Sequence, residues 1–144
     1  MLDRLEPFVG EWDLDVSLPS PDEVRARAVF EWALDGRFLV QRVEISIPEA
    51  PNSIALMGAD PGGDAFTQHY YDSRGVIRLY AMTFEDGVWT LQRDSPDFSE
   101  LDFFQRYTGT FSVDGDTIDG HWEISHDEGA TWEHDFDLAY RRVA

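Results

Sequence analysis

The side chains best suited to bind a ligand lie in stretches where apolar and polar residues alternate. Arg78 and Tyr80 are two residues apart, so both point to the same face of an extended strand. A guanidinium and a phenol on one face can together hold a carboxylate, because both donate hydrogen bonds. Both faces of this stretch are largely apolar. The sequence therefore leaves Arg78 either outside in an ion pair or inside, where it must be paired or bind an anion.

His134 is the histidine that the alternation places among apolar residues. Alternation over residues 132–142 predicts that it lies on the inward face with Phe136, opposite Ile124 of the preceding strand. A neutral imidazole there can ligate a metal, or it can be a core histidine bonded to a carbonyl or a carboxylate. His126 lies on the same hairpin, but a third inward ligand that would complete a zinc site is not evident.

The sequence contains no familiar catalytic pattern. It has no Ser-His-Asp elbow, phosphate loop, dinucleotide fingerprint or HExxH string. With 29 acidic residues, carboxylate pairs are too frequent to indicate an acid–base site. Glu31, Gln41 and Glu44 lie on expected central strands, and each needs a partner if it faces the interior. We therefore predict binding rather than catalysis, and no catalytic residue.

Length and charge restrict the class of protein. The chain has 144 residues, no cysteine, and a formal net charge of -18 from 11 basic and 29 acidic residues. This length predicts one domain, residues 1–144. The negative charge repels phosphate backbones and anionic lipids, which argues against nucleic-acid and membrane partners. No apolar stretch approaches the roughly 20 residues that span a bilayer, and no targeting segment is evident, so we expect a cytoplasmic protein.

Turn signals divide the chain into short strands. Asp35-Gly36, Asp86-Gly87 and Asp114-Gly115 are pairs that tight hairpin turns prefer, because their central residues need positive φ. Residues 2–8 suggest a short helix. Ten strands are predicted near 10–18, 24–34, 37–47, 53–60, 65–72, 76–84, 87–94, 103–112, 116–126 and 132–142. Ten antiparallel strands leave two exposed edges unless the sheet closes, so we predict an all-β barrel of about ten strands.

Gly10-Glu11-Trp12, which follows the short helix and opens the first strand, resembles the G-x-W signature of the calycins, the lipocalin and fatty-acid-binding-protein group. The resemblance implies that Trp12 closes one end of a calycin-like barrel beneath an arginine of the last strand, here Arg141 or Arg142. The strings FVGEWDLDV and GATWEHDFDL are also similar to uncharacterised bacterial domains of unknown function. That second resemblance implies a fold and no activity.

Two calycin families suggest ligands. The spacing of Arg78 and Tyr80 resembles the inward Arg-x-Tyr pair with which fatty-acid-binding proteins hold a carboxylate. The nitrobindins, which are haem-binding ten-stranded barrels, are similar in having a histidine on the closing strand and a G-x-W near the start. That resemblance implies haem as a cofactor, with His134 as the axial ligand and a role with reactive nitrogen or oxygen species.

Residues 125–132, SHDEGATW, resemble the Asp-box S-x-D-x-G-x-T-W, which recurs as a turn in sialidase propellers. A propeller needs several copies and a much longer chain, so we interpret the single copy as a turn that stabilises its hairpin. The aspartate is expected to accept backbone hydrogen bonds and the tryptophan to pack beneath the turn.

We therefore expect noncovalent binding of a small, largely apolar ligand inside the barrel, with no cofactor. One alternative is the haem protein with His134 as ligand to the iron. Another is a barrel filled with side chains that serves as an interaction domain and forms a homodimer through an exposed strand face. The predicted lining residues are Trp32, Tyr70, Arg78, Tyr80, Met82, Phe103, Trp122, His134 and Phe136, and the predicted closing residues are Gly10, Trp12, Arg141 and Arg142.

Overall fold

The computed structural model describes residues 2–17, 25–48, 50–60, 65–98 and 100–143. A 3-10 helix spans Leu2–Phe8. The strands are β1 Gly10–Val16, β2 Ala26–Ala33, β3 Phe38–Ile45, β4 Ser53–Ala59, β5 Phe66–Asp72, β6 Ile77–Glu85, β7 Val88–Arg93, β8 Phe104–Phe111, β9 Thr117–Ser125 and β10 Glu133–Arg142. All ten predicted strands are present, and most ends agree within two residues. The predicted ends at residues 18 and 24 lie outside the described residues.

The ten strands form one closed antiparallel barrel in which each strand pairs with its neighbours in sequence. β1 closes the sheet by pairing with β2 on one side and with β10 on the other, where Trp12 lies opposite Arg142. The predicted all-β barrel is therefore confirmed. Because closure leaves no free edge among these strands, every strand is hydrogen-bonded on both sides.

Positive φ angles occur at the predicted hairpin turns. Asp86 and Gly87 have φ values of 51° and 76°, and Gly115 has a φ of 76°. The turn before β3 contains three consecutive residues with positive φ, which are Leu34, Asp35 and Gly36. Aspartate and glycine tolerate this conformation better than most residues, which explains why the Asp-Gly pairs mark the ends of the strands.

The barrel has a closed end, which is covered by the helix Leu2–Phe8. Leu5, Phe8 and Trp12 are fully buried there, and the Trp12 Nε1 donates a 2.9 Å hydrogen bond to the Phe8 carbonyl. Phe8 packs against Phe30, with 5.5 Å between ring centroids, and against Phe84, with 4.9 Å. Side chains fill this half of the interior.

β10 contains a bulge that changes the facing of one predicted site residue. Phe136 pairs with Trp122, but His134 pairs with Glu123 instead of Ile124, so the register shifts by one residue between His134 and Phe136. Because neighbouring residues of a strand face opposite ways, the extra residue moves His134 to the outer face. The prediction that His134 faces inward is therefore wrong.

Within the described ranges, no helix has the length and apolar character needed to cross a membrane.

Candidate functional site

A cavity of about 440 Å³ occupies the half of the barrel opposite the closed end. We call that half the open end; residues from the loops after β3, β5 and β7, including Pro51, Arg74 and Phe103, lie around the cavity there. The aliphatic and aromatic lining residues are Leu14, Val16, Val43, Ile45, Tyr70, Tyr80, Trp89, Leu91, Phe103, Tyr107, Trp122, Phe136, Leu138 and Tyr140. The volume falls within the roughly 300–1,000 Å³ usual for small-molecule sites.

Six of the nine predicted lining residues line this cavity: Tyr70, Arg78, Tyr80, Phe103, Trp122 and Phe136. Trp32 and Met82 do not. The Trp32 Nε1 donates a 2.8 Å hydrogen bond to Glu6 of the helix, and Met82 is fully buried in the core. The alternation of inward residues continues along β2 and β6 into the filled half, so an inward position alone does not place a residue at the cavity.

His134 lies outside the barrel. Its Nε2 is 2.8 Å from Asp137 Oδ1, its side chain is 57% exposed, and its ring stacks on His121 with 6.3 Å between centroids. All four histidines belong to the described residues, and none of them lines the cavity. The interior therefore offers no imidazole to a haem iron, and the donor set does not fit histidine-ligated haem.

Arg78 lines the cavity on β6. Among the residues that the structure describes, none of the ion pairs involves Arg78. Its side chain is half-buried, two residues from buried Tyr80 on β6. Burial raises the pKa of Tyr80, and the positive charge of Arg78 opposes that shift. The phenol therefore stays neutral near pH 7 beside the guanidinium.

Arg74 and Arg93, which also lie near the open end, are already paired with aspartates. Arg74 Nη2 lies 2.7 Å from Asp72 Oδ2, which also accepts a 2.9 Å hydrogen bond from the Tyr70 hydroxyl. Arg93 Nε lies 2.9 Å from Asp97 Oδ2, and both of these side chains are only 3% exposed. Asp97 also accepts a hydrogen bond from the backbone of β6, so this pair holds the loop after β7 against the barrel. Arg78 differs from both, since no described aspartate or glutamate forms an ion pair with it.

Polar side chains form hydrogen bonds across the middle of the cavity. Gln41 Nε2 donates to the Tyr140 hydroxyl at 3.0 Å, and the Tyr80 hydroxyl donates to Gln105 Oε1 at 3.3 Å. The Tyr107 hydroxyl donates to a backbone carbonyl of β10 at 3.0 Å. Burial raises the pKa of Tyr107 and of Tyr140, so both phenols remain uncharged. The middle of the cavity is therefore polar but neutral.

Two buried polar atoms of the cavity wall have no hydrogen-bond partner within the described part of the chain. They are Gln68 Oε1, an acceptor, and Trp89 Nε1, a donor. The two residues are 3% and 1% exposed, and both line the cavity. Buried polar groups in proteins are nearly always hydrogen-bonded, so these two atoms are candidates for contact with a bound molecule.

The residues that close the opposite end have clear contacts. The Arg142 guanidinium lies 4.1 Å from the Trp12 ring centroid and donates to the carbonyls of Val9, at 2.8 Å, and Pro7, at 2.7 Å. Gly10 has a φ of 132°, and a Cβ there would lie 2.9 Å from Arg142 Nη1. Arg141 points to solvent. Of the two arginines considered for this role, Arg142 is therefore the one in contact with Trp12.

The SHDEGATW turn holds the β9–β10 hairpin. Asp127 Oδ1 accepts from the Thr131 amide at 2.8 Å and from the Ser125 hydroxyl at 2.7 Å. Trp132 packs outside the barrel beneath Arg106, whose guanidinium lies 4.0 Å from the ring centroid. These contacts are structural. In the described ranges no group of three or more histidine, aspartate or glutamate side chains could hold a metal ion.

Sequence reasoning overlooked most of the polar lining. Gln41 was a candidate for a buried polar contact, but Gln68, Gln105, Trp89 and Tyr107 were not named. An available signal was the glutamine at position 68, between Phe66 and Tyr70 in the alternation of β5. An uncharged polar residue at an inward position indicates an interior that is hydrated or that binds a ligand. Glu31 and Glu44, the other two candidates, are exposed.

Comparison of the chain with models of known protein families gives no match, and comparison with curated protein sequences gives no match either.

Proposed function

We propose that this calycin-like barrel binds a small, largely apolar ligand noncovalently in the cavity at its open end. The observation that carries the proposal is the cavity itself, about 440 Å³ lined mostly by aliphatic and aromatic side chains. Burial of an apolar molecule against such a wall releases about 25 cal/mol per Å² of apolar surface. A few oriented polar groups in an apolar cavity are typical of small-molecule sites.

We propose further that the ligand carries an acidic group, which Arg78 holds. A positive charge partly withdrawn from water favours an anion beside it, and none of the ion pairs among the described side chains involves Arg78. Acidic residues are abundant in the sequence, and none of those in the described ranges forms an ion pair with this cavity arginine. The hydroxyl of neighbouring Tyr80 donates to Gln105, so the guanidinium is the donor that would hold the acidic group.

The two alternatives receive less support. A haem in the barrel would need an axial ligand, and the histidines lie outside the cavity. A barrel filled with side chains would have no space of this volume. The partnerless cavity atoms Gln68 Oε1 and Trp89 Nε1 also favour a bound molecule over a sealed core.

Calorimetric titration with dodecanoic acid, below its micelle concentration, tests the proposal. We expect saturation at one ligand per chain. Leu138→Trp should weaken binding at least tenfold because the larger side chain fills the cavity. Ile54→Trp is the matched control, since Ile54 is 45% exposed and lies outside the cavity. Val43→Phe replaces the cavity variant if Leu138→Trp does not fold. Absence of saturable binding, or equal affinity in the filled variant, would overturn the proposal.

The acidic group is tested separately with dodecanol. Arg78→Met should weaken dodecanoate binding by about tenfold or more, because a charge-assisted hydrogen bond is lost, and should leave dodecanol binding unchanged. Arg27→Met is the control for net charge, since Arg27 pairs with Asp13 on the outer surface. An equal loss for both ligands would show that Arg78 acts on the shape of the cavity and not on the carboxylate.

A further inference from the structure

The two partnerless atoms lie at different depths of the cavity. Gln68 pairs with Tyr80, two residues along β6 from Arg78. Trp89 pairs with Phe84, six residues along β6 from Arg78. At about 3.3 Å per residue, the backbone of Trp89 lies roughly 20 Å from that of Arg78 along the strand, towards the closed end. Within the described residues, the cavity wall therefore has a cation without an ion pair near its mouth and an indole N–H without an acceptor toward its floor.

The side chains around Trp89 favour an uncharged group at the floor. Its ring contacts Phe8, Tyr107 and Tyr140, with centroid distances of 5.0, 5.0 and 5.7 Å. Burial keeps both phenols neutral. A second carboxylate in this aromatic environment would lose its hydration without gaining a counter-charge. A neutral group that accepts a hydrogen bond from Trp89 Nε1 meets no such penalty.

We propose that the ligand is a hydroxylated apolar acid, whose carboxylate lies at Arg78 and whose hydroxyl lies in the inner part of the cavity. A hydroxyl is the smallest group that can serve either orphan atom, because its oxygen accepts from Trp89 Nε1 and its hydrogen donates to Gln68 Oε1. A ketone or an ether could serve Trp89 alone. This inference rests on the proposed function and narrows its ligand class.

The test compares dodecanoic acid with ω-hydroxydodecanoic acid, which have the same chain and the same carboxylate. In the unmodified protein we expect the hydroxy acid to bind about tenfold more tightly, because it satisfies a buried donor that the plain acid leaves unpaired. Trp89→Phe should abolish this preference, because it removes the indole donor and keeps an aromatic ring in the cavity wall. Gln68→Met, of similar volume, tests the acceptor in the same way. Leu91→Met is the control, since Leu91 lines the cavity without a polar atom.

The preference is the ratio of the affinities of one variant for the two acids. A general weakening of binding affects both affinities and therefore cancels from the ratio. The indole Nε1–H resonance of Trp89 in an NMR spectrum supplies a second readout, which is measured on the unmodified protein. We expect a downfield shift of the Nε1 proton with the hydroxy acid and a smaller shift with dodecanoic acid. Loss of the preference in either variant assigns the hydroxyl to that residue and supports the inference.

Three outcomes would overturn it. Equal affinities for the two acids in the unmodified protein would leave the proposed function intact but would contradict a hydroxyl on the ligand. A preference that survives in both variants would do the same. So would an unshifted Trp89 resonance at saturation with the hydroxy acid, when Gln68→Met also keeps the preference. Failure of both acids to bind would instead contradict the proposed function, so the two failures are distinguishable.

Discussion

The two ends of the barrel are built from the same strands but differ in what fills them. Along β8 the inward residues change from Gln105 and Tyr107 at the cavity to Phe111 at the closed end. Along β6 they change from Arg78 at the cavity to fully buried Met82. One alternating pattern therefore supports two tasks. The closed end supplies apolar packing that holds the barrel together, and the open end keeps space and polar groups available.

Large-to-small substitutions should separate the two ends most clearly. Trp12→Ala removes a fully buried indole at the closed end and should lower the free energy of unfolding by about 3–5 kcal/mol. Phe103→Ala removes a partly exposed ring at the mouth of the cavity and should cost less than about 1 kcal/mol. Urea denaturation measures both. Similar losses would contradict the idea that the closed end carries most of the stability.

Substitution of the two neighbouring arginines of β10 should give a smaller difference in stability. Arg142→Met should cost about 2–3 kcal/mol, because it removes hydrogen bonds from a charged donor to the Val9 and Pro7 carbonyls as well as the contact with Trp12. Arg141→Met changes an exposed side chain and should stay within about 0.5 kcal/mol. The shift of the thermal unfolding midpoint measures the difference. If the two variants had equal midpoints, the closure of the barrel by Arg142 would lose its support.

At the cavity, a single polar contact should matter less. Gln41→Leu leaves the Tyr140 hydroxyl without its donor and should cost about 1–2 kcal/mol. Adding Tyr140→Phe removes the unpaired hydroxyl and should recover part of that loss, since both partners are then apolar. A double-mutant cycle measured by urea denaturation gives the coupling. Strictly additive losses would mean that the hydrogen bond does not stabilise the cavity wall.

The smallest expected effect is the loss of the stabilising contribution of Asp127 at low pH. Hydrogen bonds from the Thr131 hydroxyl, the Thr131 amide and the Ser125 hydroxyl lower the pKa of Asp127 from 3.8 to about 2. Because the folded pKa is lowered, its stabilising contribution is complete above the ordinary value and is lost as the pH falls through about 2. We expect the Thr131 amide resonance to change over that interval. Asp127→Asn should remove the change, and an Asp127 carboxyl that titrates near 4 would refute the assignment.

Much of the fold is predictable because its signals are local. An Asp-Gly pair marks a turn whether or not the rest of the chain is known, since its backbone conformation depends on those two residues. Alternation then assigns the faces, as it does for Trp12 and Leu14 on β1, both buried. Closure follows because unpaired strand edges are unfavourable.

The site was less predictable because it depends on relations between distant strands. The bulge beside Asp135 adds one residue to β10 without changing the local pattern, so alternation placed His134 on the wrong face. Trp32 and Met82 do face inward, yet they lie in the filled half. The helix Leu2–Phe8 packs into one end of the barrel and so distinguishes the two halves. The alternation within a single strand does not indicate which end that is.

The pairing of β1 with β10 has a consequence for folding kinetics. Trp12 lies opposite Arg142, so the seam that completes the barrel joins segments from opposite ends of this sequence. Closing so long a loop costs conformational entropy before any contact at the seam compensates for it, although the cost rises only slowly with loop length. The nine remaining strand pairs join neighbours in sequence and can form as hairpins. Folding should therefore be limited by a late step that docks the first strand against the last.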